Sequence, residues 1–217
     1  FLAGTAVAGV TVLGMPWSNV VHAADGRIVV RVEEDLKNLD PANRTGTIEV
    51  NVILAVNQGL VKFKPGSTEW ENDAAEEIKQ VSDTLIEFTL KKGLKFTGGY
   101  GDLTAEDVKF SFERFKPAAD GTKVDYADDW AALDSVEVTG PLTGKIHLKH
   151  PSPAVWLIAL ADGSGAIISK KAFEKLGDKF KTTPIGSGPY MLKEWVPRDH
   201  FTLVANPDYI GDKPAFT

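Results

Sequence analysis

Histidine is the residue type of this sequence best suited to metal binding, and two histidines lie close together. His147 and His150 are three residues apart, a spacing that would place both on one face of a helix. The alternating polar and apolar residues of 145–149 predict a strand instead, in which residues three apart point to opposite faces. We therefore expect no shared zinc site.

Three aspartates form a second group that could bind a metal ion. Asp125, Asp128 and Asp129 could supply oxygen ligands to calcium, but the segment lacks the glycine required at the sixth position of such a loop. A solvated acidic turn is the simpler interpretation.

The glycine-rich segments lack the spacing of catalytic motifs. Residues 186–188 (Gly-Ser-Gly) do not match a nucleophile elbow, and Gly98, Gly99 and Gly101 match neither a dinucleotide loop nor a phosphate loop. The sequence therefore predicts no catalytic residue, no metal site and no cofactor.

Two aromatic residues are candidates for ligand contact. Tyr126 and Trp130 lie in a polar stretch, where the aromatic side chains that line a ligand cleft are found. Packing at the rim of the core is the alternative for both. Trp156 lies in the apolar segment 154–161 and is a predicted core residue.

The composition is that of an ordinary globular protein. The 217 residues, 43% of them hydrophobic and 25% charged, suffice for one large domain or two small ones. A net charge of −6 argues against nucleic acid as a partner. Cysteine is absent, so disulfides and thiolate metal sites are excluded and no lipid-anchor cysteine is expected.

The N-terminal segment predicts export. Residues 1–24 contain no aspartate, glutamate, lysine or arginine, Pro16 ends the apolar run, and Val21 and Ala23 are small residues suited to a cleavage site. We interpret residues 1–23 as an export signal peptide whose charged start is missing. The opening Phe-Leu-Ala resembles the tail of a twin-arginine signal, and a general secretory signal fits equally well. Both predict a soluble periplasmic protein.

The most regular stretch of the sequence is residues 82–115. Ile86, Phe88 and Leu90 alternate with polar residues, which predicts a half-buried strand. A glycine-rich turn follows, and Thr104 is placed to cap a helix that continues to Phe115.

The flanking segments predict short strands and helices in irregular order, which argues for a mixed α/β (α+β) fold. The predicted elements are a strand at 27–32, a helix at 48–58 capped by Thr47, a surface turn or short helix at 69–80, a hairpin of 135–139 and 145–149, a buried strand at 166–168, a helix at 170–176 capped by Ser169, and a strand pair at 191–196 and 202–204.

Five segments together resemble one known family. Residues 90–96 (Leu-Lys-Lys-Gly-Leu-Lys-Phe) and 103–114 (Leu-Thr-Ala-Glu-Asp-Val-Lys-Phe-Ser-Phe-Glu-Arg) resemble the signature of the family 5 extracellular solute-binding proteins of ABC importers. Residues 39–41, 184–190 and 205–209 also match that family, in the family's order. The family includes dipeptide, oligopeptide and nickel binders.

The sequence departs from the family pattern in two places. The glycine turn carries an extra Tyr100 and Gly101, and residues 72–78 differ from the usual Pro-Ala-Leu-Ala-Glu-Ser-Trp.

The resemblance implies a periplasmic-binding-protein fold of class II, represented here by its N-terminal lobe alone. On this basis residues 25–47 and 164–217 form part of domain I, and residues 48–163 form an inserted domain II. The C-terminal lobe is expected to be absent from this sequence.

The resemblance also implies a function without catalysis. A monomer would capture a small solute, most simply a peptide, in a cleft between lobes and deliver it to an ABC permease and ATPase complex in the inner membrane. Peptides in this family pair with strand-like edges. The ligand contacts carried over are Asn43, Arg44, Thr45 and Gly46 in one loop, Asp162 and Gly163 in another, and the aromatic pair Tyr126 and Trp130.

Other functions stay open at this point. A nickel chelate, an opine or an oligosaccharide could replace the peptide, and the protein could serve a chemoreceptor instead of a permease. A secreted hydrolase has no motif to support it.

Overall fold

The computed structural model describes residues 26–216, so the predicted signal peptide, residues 1–23, lies outside the described residues. The helices of this part of the chain are α1 (Thr47–Val56), α2 (Ala105–Glu113) and α3 (Lys170–Leu176). The strands are β1 (Val61–Phe63), β2 (Trp70–Asn72), β3 (Ala75–Ser82), β4 (Leu85–Leu90), β5 (Lys95–Phe96), β6 (Gly101–Asp102), β7 (Leu133–Gly140), β8 (Thr143–Leu148), β9 (Tyr190–Val196) and β10 (His200–Ala205). No helix of this part is long and apolar enough to cross a membrane.

The largest sheet has four antiparallel strands in the order β3-β4-β8-β7. The alternation predicted for β4 is confirmed, because Ile86, Phe88 and Leu90 are buried and the residues between them are half-buried. Ile86 lies opposite Ile146 of β8, so the two strands bury apolar side chains on the same face. The predicted hairpin of β7 and β8 is also confirmed.

Helix α2 covers the buried face of this sheet. Thr104 and Asp107 form a capping box at its N-terminus, as the hydroxyl at that position predicted. Phe112 is fully buried and its ring stacks on Trp130 at a centroid distance of 4.3 Å. Glu113 Oε1 accepts a hydrogen bond of 2.9 Å from the backbone of Val136, which fixes the C-terminal end of the helix against β7.

A second hydrophobic cluster joins α1 to the strand pair β9–β10. Val52, Ile53 and Val56 of α1 are buried in it, with Leu192 and Leu203 packed against them. The sequence prediction placed α1 in the inserted domain, whereas its buried face packs on segments assigned to domain I.

The glycine-rich turn at 184–190 is seated on the C-terminal end of α1. Gly188 donates a backbone hydrogen bond of 2.8 Å to the carbonyl of Val56. A Cβ atom on Gly186 would lie 2.0 Å from the same carbonyl oxygen, so only glycine allows this approach.

The prediction of a strand at 27–32 is wrong. Only Arg27 forms an isolated bridge, and Val29 and Val30 are 76% and 67% exposed. The segment has strand-forming residues, but no strand of residues 26–216 runs beside it to pair with its backbone.

The turn or short helix predicted at 69–80 is also wrong, because this segment forms β2 and most of β3. Strand β3 lies at the edge of the sheet, and only Ala75 is buried while Ile78 is half-buried. An edge strand with a solvated face can be mostly charged, so its sequence carries little alternation.

Two further predictions need correction. Residues 166–168 are buried but do not form a strand; the backbone of Ile167 bonds to the carbonyl of Gln58 instead. Helix α1 starts at Thr47 itself and Gly46 is its N-cap, so Thr47 is the first helical residue and not the cap. The prediction for α3 is confirmed, with Ser169 as its cap.

A buried ion pair connects the N-terminal loop to α2. The Arg114 guanidinium donates two hydrogen bonds, of 2.7 and 2.6 Å, to the two carboxylate oxygens of Asp40. The side chains are 12% and 8% exposed. The guanidinium also lies 4.5 Å from the ring centroid of Phe173 in α3, so one arginine holds three elements together.

We expect Arg114→Met to lower the free energy of unfolding by about 3–5 kcal/mol, because the Asp40 carboxylate would stay buried without a partner. The double variant Asp40→Asn/Arg114→Met should recover part of that loss, since it removes the uncompensated charge. Urea denaturation of the full natural protein measures both. Lys64→Met, which breaks an exposed pair with Glu69, is the matched control and should change nothing measurable. Equal losses of unfolding free energy in all three variants would contradict the assignment of Asp40 and Arg114 as a buried, stabilising ion pair.

Candidate functional site

Arg44 is the centre of a polar cluster in which most of the predicted ligand contacts meet. Its side chain is 3% exposed. One terminal nitrogen, Nη1, donates hydrogen bonds of 2.9 Å to the carbonyl of Pro41 and to the hydroxyl of Ser164. The other, Nη2, lies 3.5 Å from Asp129 Oδ2 and 3.4 Å from Asp162 Oδ2. The guanidinium thus links three segments that are far apart in sequence.

Tyr126 covers the guanidinium from one side. The Arg44 Cζ atom lies 3.6 Å from the ring centroid of Tyr126, which is a cation–π contact. The backbone of Tyr126 donates to the carbonyl of Ala42 at 3.2 Å, and the backbone of Asp125 donates to Asn43 Oδ1 at 3.4 Å. The aromatic turn and the loop after Leu-Asp-Pro are therefore held against each other.

The short helical turn at Gly163–Gly165 completes the cluster. Ser164 is fully buried and its hydroxyl donates to Asp129 Oδ2 while it accepts from Arg44. A Cβ atom on Gly163 would lie 3.3 Å from Arg44 Cζ, so the absence of a side chain lets the guanidinium pack close to the backbone. Asp162 precedes this turn with its side chain 39% exposed.

Trp130 lies below the cluster, in the core. It is 2% exposed, and its indole N–H donates a hydrogen bond of 3.0 Å to the carbonyl of Ser164. The sequence left open packing at the rim of the core as the alternative, but Trp130 lies inside the core. Its connection to the cluster is made through Ser164.

Thr45 and Gly46 form the edge of the site beside α1. Thr45 is exposed, and its hydroxyl donates a hydrogen bond of 2.8 Å to the buried carboxylate of Glu49. Glu49 also accepts from the backbone of Lys37 at 3.0 Å, so the conformation of this edge is fixed from both sides.

Sequence reasoning missed two members of the cluster. Asp129 was considered only as a calcium ligand, whereas here it pairs with Arg44 and Ser164. Ser164 lies in a Gly-Ser-Gly run without periodicity or a recognisable motif, so no sequence signal pointed to it.

The histidine pair behaves as two separate surface residues. His147 lies 3.1 Å from Glu137 on the neighbouring strand, and His150 contacts the carbonyl of Pro151. Within residues 26–216, no group of three histidine, aspartate or glutamate side chains is arranged to hold a metal ion.

A partly enclosed cavity of about 200 Å³ lies next to Asp162. Its polar lining comes from Asn57, Lys62, Asp73, Asp162 and Tyr209. Burial raises the pKa of Asp73 above its ordinary value, against hydrogen bonds from Gln58 and Gly59 and the charge of Lys62, which lower it. Burial also raises the pKa of Tyr209, with a further contribution from the negative charge of Asp73.

A larger cavity, of about 670 Å³, lies between the glycine turn and β9 and contains none of the predicted contact residues. Its walls are mainly apolar, with Ile185, Met191, Leu192 and Val204 among them. We therefore locate the candidate site at the Arg44 cluster and the smaller cavity, where charged groups, hydroxyls and an aromatic ring converge.

A comparison with known families identifies the family of this chain. The model for bacterial extracellular solute-binding proteins, family 5 (middle region), matches residues 69–217. The probable D,D-dipeptide-binding periplasmic protein DdpA of Escherichia coli K12 is 34% identical over 210 residues, which are 91% of this chain and 39% of that protein. The glutathione-binding protein GsiB of the same strain is 33% identical over 170 residues, which are 77% of this chain and 32% of that protein.

Solved structures show the same fold. The binding protein MoaA from A. tumefaciens R10, in complex with mannopinic acid, superposes with a TM-score of 0.75 at 34% identity, over 82% of this chain and 36% of that one. The periplasmic binding protein DppA from Helicobacter pylori, in complex with the peptide STSA, gives 0.72 at 27% identity, over 82% and 39%. The chain thus spans less than half the length of the relatives it matches.

We expect the stability of this lobe to carry a pH dependence that originates at Asp73. Its pKa is raised in the folded state, so in the window between its ordinary and its raised pKa the folded protein binds more protons than the unfolded chain. The contribution of Asp73 to stability therefore falls as pH rises through that window.

The free energy of unfolding is measured for the wild-type full natural protein and for Asp73→Asn, from about pH 4, near the ordinary pKa of aspartate, to pH 7. At each pH the value of the variant is subtracted from that of wild type. We expect this difference to fall. Asp134→Asn, which changes an exposed aspartate on β7, is the control variant measured beside it. A difference that rises with pH in Asp73→Asn would overturn the interpretation.

Proposed function

The chain belongs to the bacterial extracellular solute-binding proteins of family 5, and on this premise we propose that it binds a peptide-like solute for an ABC importer. The full protein would hold the solute in a cleft between this lobe and a C-terminal one. In this layout residues 25–47 and 164–217 belong to domain I and residues 48–163 to the inserted domain II, with α1 at the boundary and packed on domain I.

The observation that carries the proposal is the convergence of three distant segments on Arg44. The loop that contains Asn43, the turn at Tyr126 and the turn after Asp162 were each assigned to the ligand site from sequence. Their joint position gives the proposed site a continuous polar surface with an aromatic side chain in it. Such a combination is typical of sites that orient a small polar ligand.

The edge at Thr45 and Gly46 supports binding of an extended ligand. Thr45 is exposed, and the residues around it are held by the buried carboxylate of Glu49. A rigid extended edge can pair with the backbone of a peptide and so tolerate varied side chains. Closure of the second lobe would then remove the bound solute from water.

The name of one relative supports the location that we propose, and the description of DppA from Helicobacter pylori as ABC transporter-associated supports the partners. DdpA is described as periplasmic, and we place this protein in the same compartment. We propose that it acts as a monomer that docks on a permease and ATPase complex in the inner membrane.

The relatives are substrate-binding proteins and not enzymes, and we propose that this protein likewise performs no catalysis. Ser164 and Asp129 share a hydrogen bond, but the histidines of residues 26–216 all bond to other groups. A Ser-His-Asp arrangement therefore cannot be assembled from the described residues.

An opine is the second candidate ligand. MoaA, which superposes on this chain with 34% identity, was solved with mannopinic acid. Opines carry carboxylates and an amine on an extended skeleton, so the same edge and the same polar cluster could receive one. The choice between a peptide and an opine is made by binding measurements.

We expect the full natural protein to gain thermal stability with at least one of L-alanyl-L-alanine, D-alanyl-D-alanine, glutathione and mannopinic acid, because a ligand that binds only the folded state stabilises it. Differential scanning calorimetry with each compound measures the shift. A melting temperature that no compound changes would count against the proposal.

We expect Tyr126→Ala to weaken the binding of the best compound about tenfold, which corresponds to the roughly 1.4 kcal/mol that an aromatic contact can contribute. Isothermal titration calorimetry measures the dissociation constant. Tyr190→Ala, a half-buried tyrosine of β9 outside the site, is the control and should leave the constant unchanged. Equal effects of the two variants would indicate a structural role for Tyr126.

A further inference from the structure

We propose that three side chains of α2 and of the turn after it close one edge of the four-stranded sheet against a second copy of this chain. The edge is strand β7, and the side chains are those of Lys109, Glu113 and Lys116. They occupy backbone groups that a further strand would need. The protein is thereby kept monomeric by side chains that lie apart from the proposed ligand contacts.

Strand β7 has a neighbouring strand on one side only. It is the last strand in the order β3-β4-β8-β7, and within residues 26–216 only β8 pairs with it. In an antiparallel edge strand, every second residue turns its backbone N–H and C=O away from the neighbouring strand, where they can pair with another chain. Asp134 and Val136 are residues of this kind, because side chains from α2 and the turn after it bond to their backbone groups.

Lys109 and Glu113 together take the place of a paired strand at Val136. Glu113 Oε1 accepts a hydrogen bond of 2.9 Å from the N–H of Val136, and Lys109 Nζ donates one of 2.7 Å to its carbonyl. The two side chains also bond to each other at 2.9 Å, one helical turn apart, so each holds the other in position. Burial alone would raise the pKa of Glu113, but the hydrogen bonds from Val136 and Lys109 outweigh it and lower the pKa. The carboxylate is therefore charged at neutral pH and stays an acceptor.

Lys116 extends the protected edge by one more outward-facing residue. Its ammonium donates a hydrogen bond of 2.7 Å to the carbonyl of Asp134, two residues before Val136. Two consecutive outward carbonyls of β7 thus each accept from a lysine. An added strand would have to displace both ammonium groups before its own backbone could bond there.

The opposite edge of the sheet is protected in a different way. Strand β3 carries the exposed charged residues Glu76, Glu77 and Lys79, and charged side chains on an edge discourage pairing with another chain. Strand β7 contains the run Val-Glu-Val-Thr at 136–139, which favours strand formation, and it contains no lysine. This edge therefore depends on protection from outside the strand, and α2 supplies it.

A second β7 is the strand that fits an opened edge. In a two-fold antiparallel pairing centred on Val136, the two copies of Val136 would exchange their backbone hydrogen bonds. Ser135 would lie opposite Glu137 of the other copy, and Asp134 opposite Val138. No like charges would face each other directly, so the sequence of β7 does not itself oppose the pairing.

Removal of the two α2 side chains should open the edge. We expect the double variant Lys109→Ala/Glu113→Ala of the full natural protein to dimerise in sedimentation velocity experiments at a series of concentrations, while wild type stays monomeric. Alanine favours the helix, so α2 itself is not weakened by its helix propensity. Lys92→Ala/Glu106→Ala removes the same two charges from exposed positions and is the control, which should stay monomeric.

A charge at position 135 tests whether β7 is the pairing strand. In the double variant, Ser135→Glu should weaken the dimer about tenfold, because by symmetry two pairs of like charges with Glu137 would form. Ser135→Lys should strengthen the dimer instead. Amide hydrogen exchange at Val136 is a second measurement, which we expect to be slow in wild type, fast in the dilute double variant and slow again in its dimer.

A folded double variant that stays monomeric at every concentration overturns the proposal, and so does a dimer that responds equally to Ser135→Glu and Ser135→Lys. If the double variant does not fold, Lys109→Met decides, since it keeps most of the aliphatic stem and frees only the carbonyl of Val136. A monomeric Lys109→Met then overturns the proposal. Solute binding is expected to be the same in wild type and the double variant, because α2 carries none of the proposed ligand contacts, so the failure of one proposal leaves the other standing.

Discussion

Asp40 and Arg114 are 74 residues apart in sequence, and the bidentate bond between their side chains fixes the relative position of the N-terminal loop and α2. The same Asp40 carboxylate accepts hydrogen bonds from the backbone of Ala42 and from the side chain of Asn43. A buried ion pair is kept only when the remaining lone pairs are satisfied, and here the loop itself satisfies them. The loop conformation is therefore set by the charge pair, and the position of Arg44, four residues after Asp40, follows from it.

This dependence separates the part of the chain that identifies the family from the part that forms the site. The strand and helix of residues 82–115 form the frame, with Phe88 and Phe112 in its core and Arg114 at the end of α2. None of the site residues lies in that stretch. The frame is joined to the proposed site by the bond from Arg114 to Asp40. The proposed site lies on loops, where side chains can reach a ligand without disturbing the core.

Sequence reasoning succeeded where one physical factor decides the structure. Strand β4 was predictable because Ile86, Phe88 and Leu90 bury a single face, and α2 because its cap is local chemistry. The segment 27–32 has the same strand-forming residues but remains unpaired, because pairing depends on a distant partner. Ser164 could not be found for a similar reason. Its role comes from contacts with Arg44 and Asp129, 120 and 35 residues away.

Arg44 illustrates how a residue type alone can suggest the wrong sign of charge for a ligand. An arginine in a predicted contact loop suggests an anionic partner such as a peptide carboxylate. The structure uses the positive charge internally, where the guanidinium faces the carboxylates of Asp129 and Asp162 and lies against the ring of Tyr126. The group that remains accessible is the carboxylate of Asp162. The most exposed charged group of the cluster is therefore negative, although the residue that organises the cluster is positive.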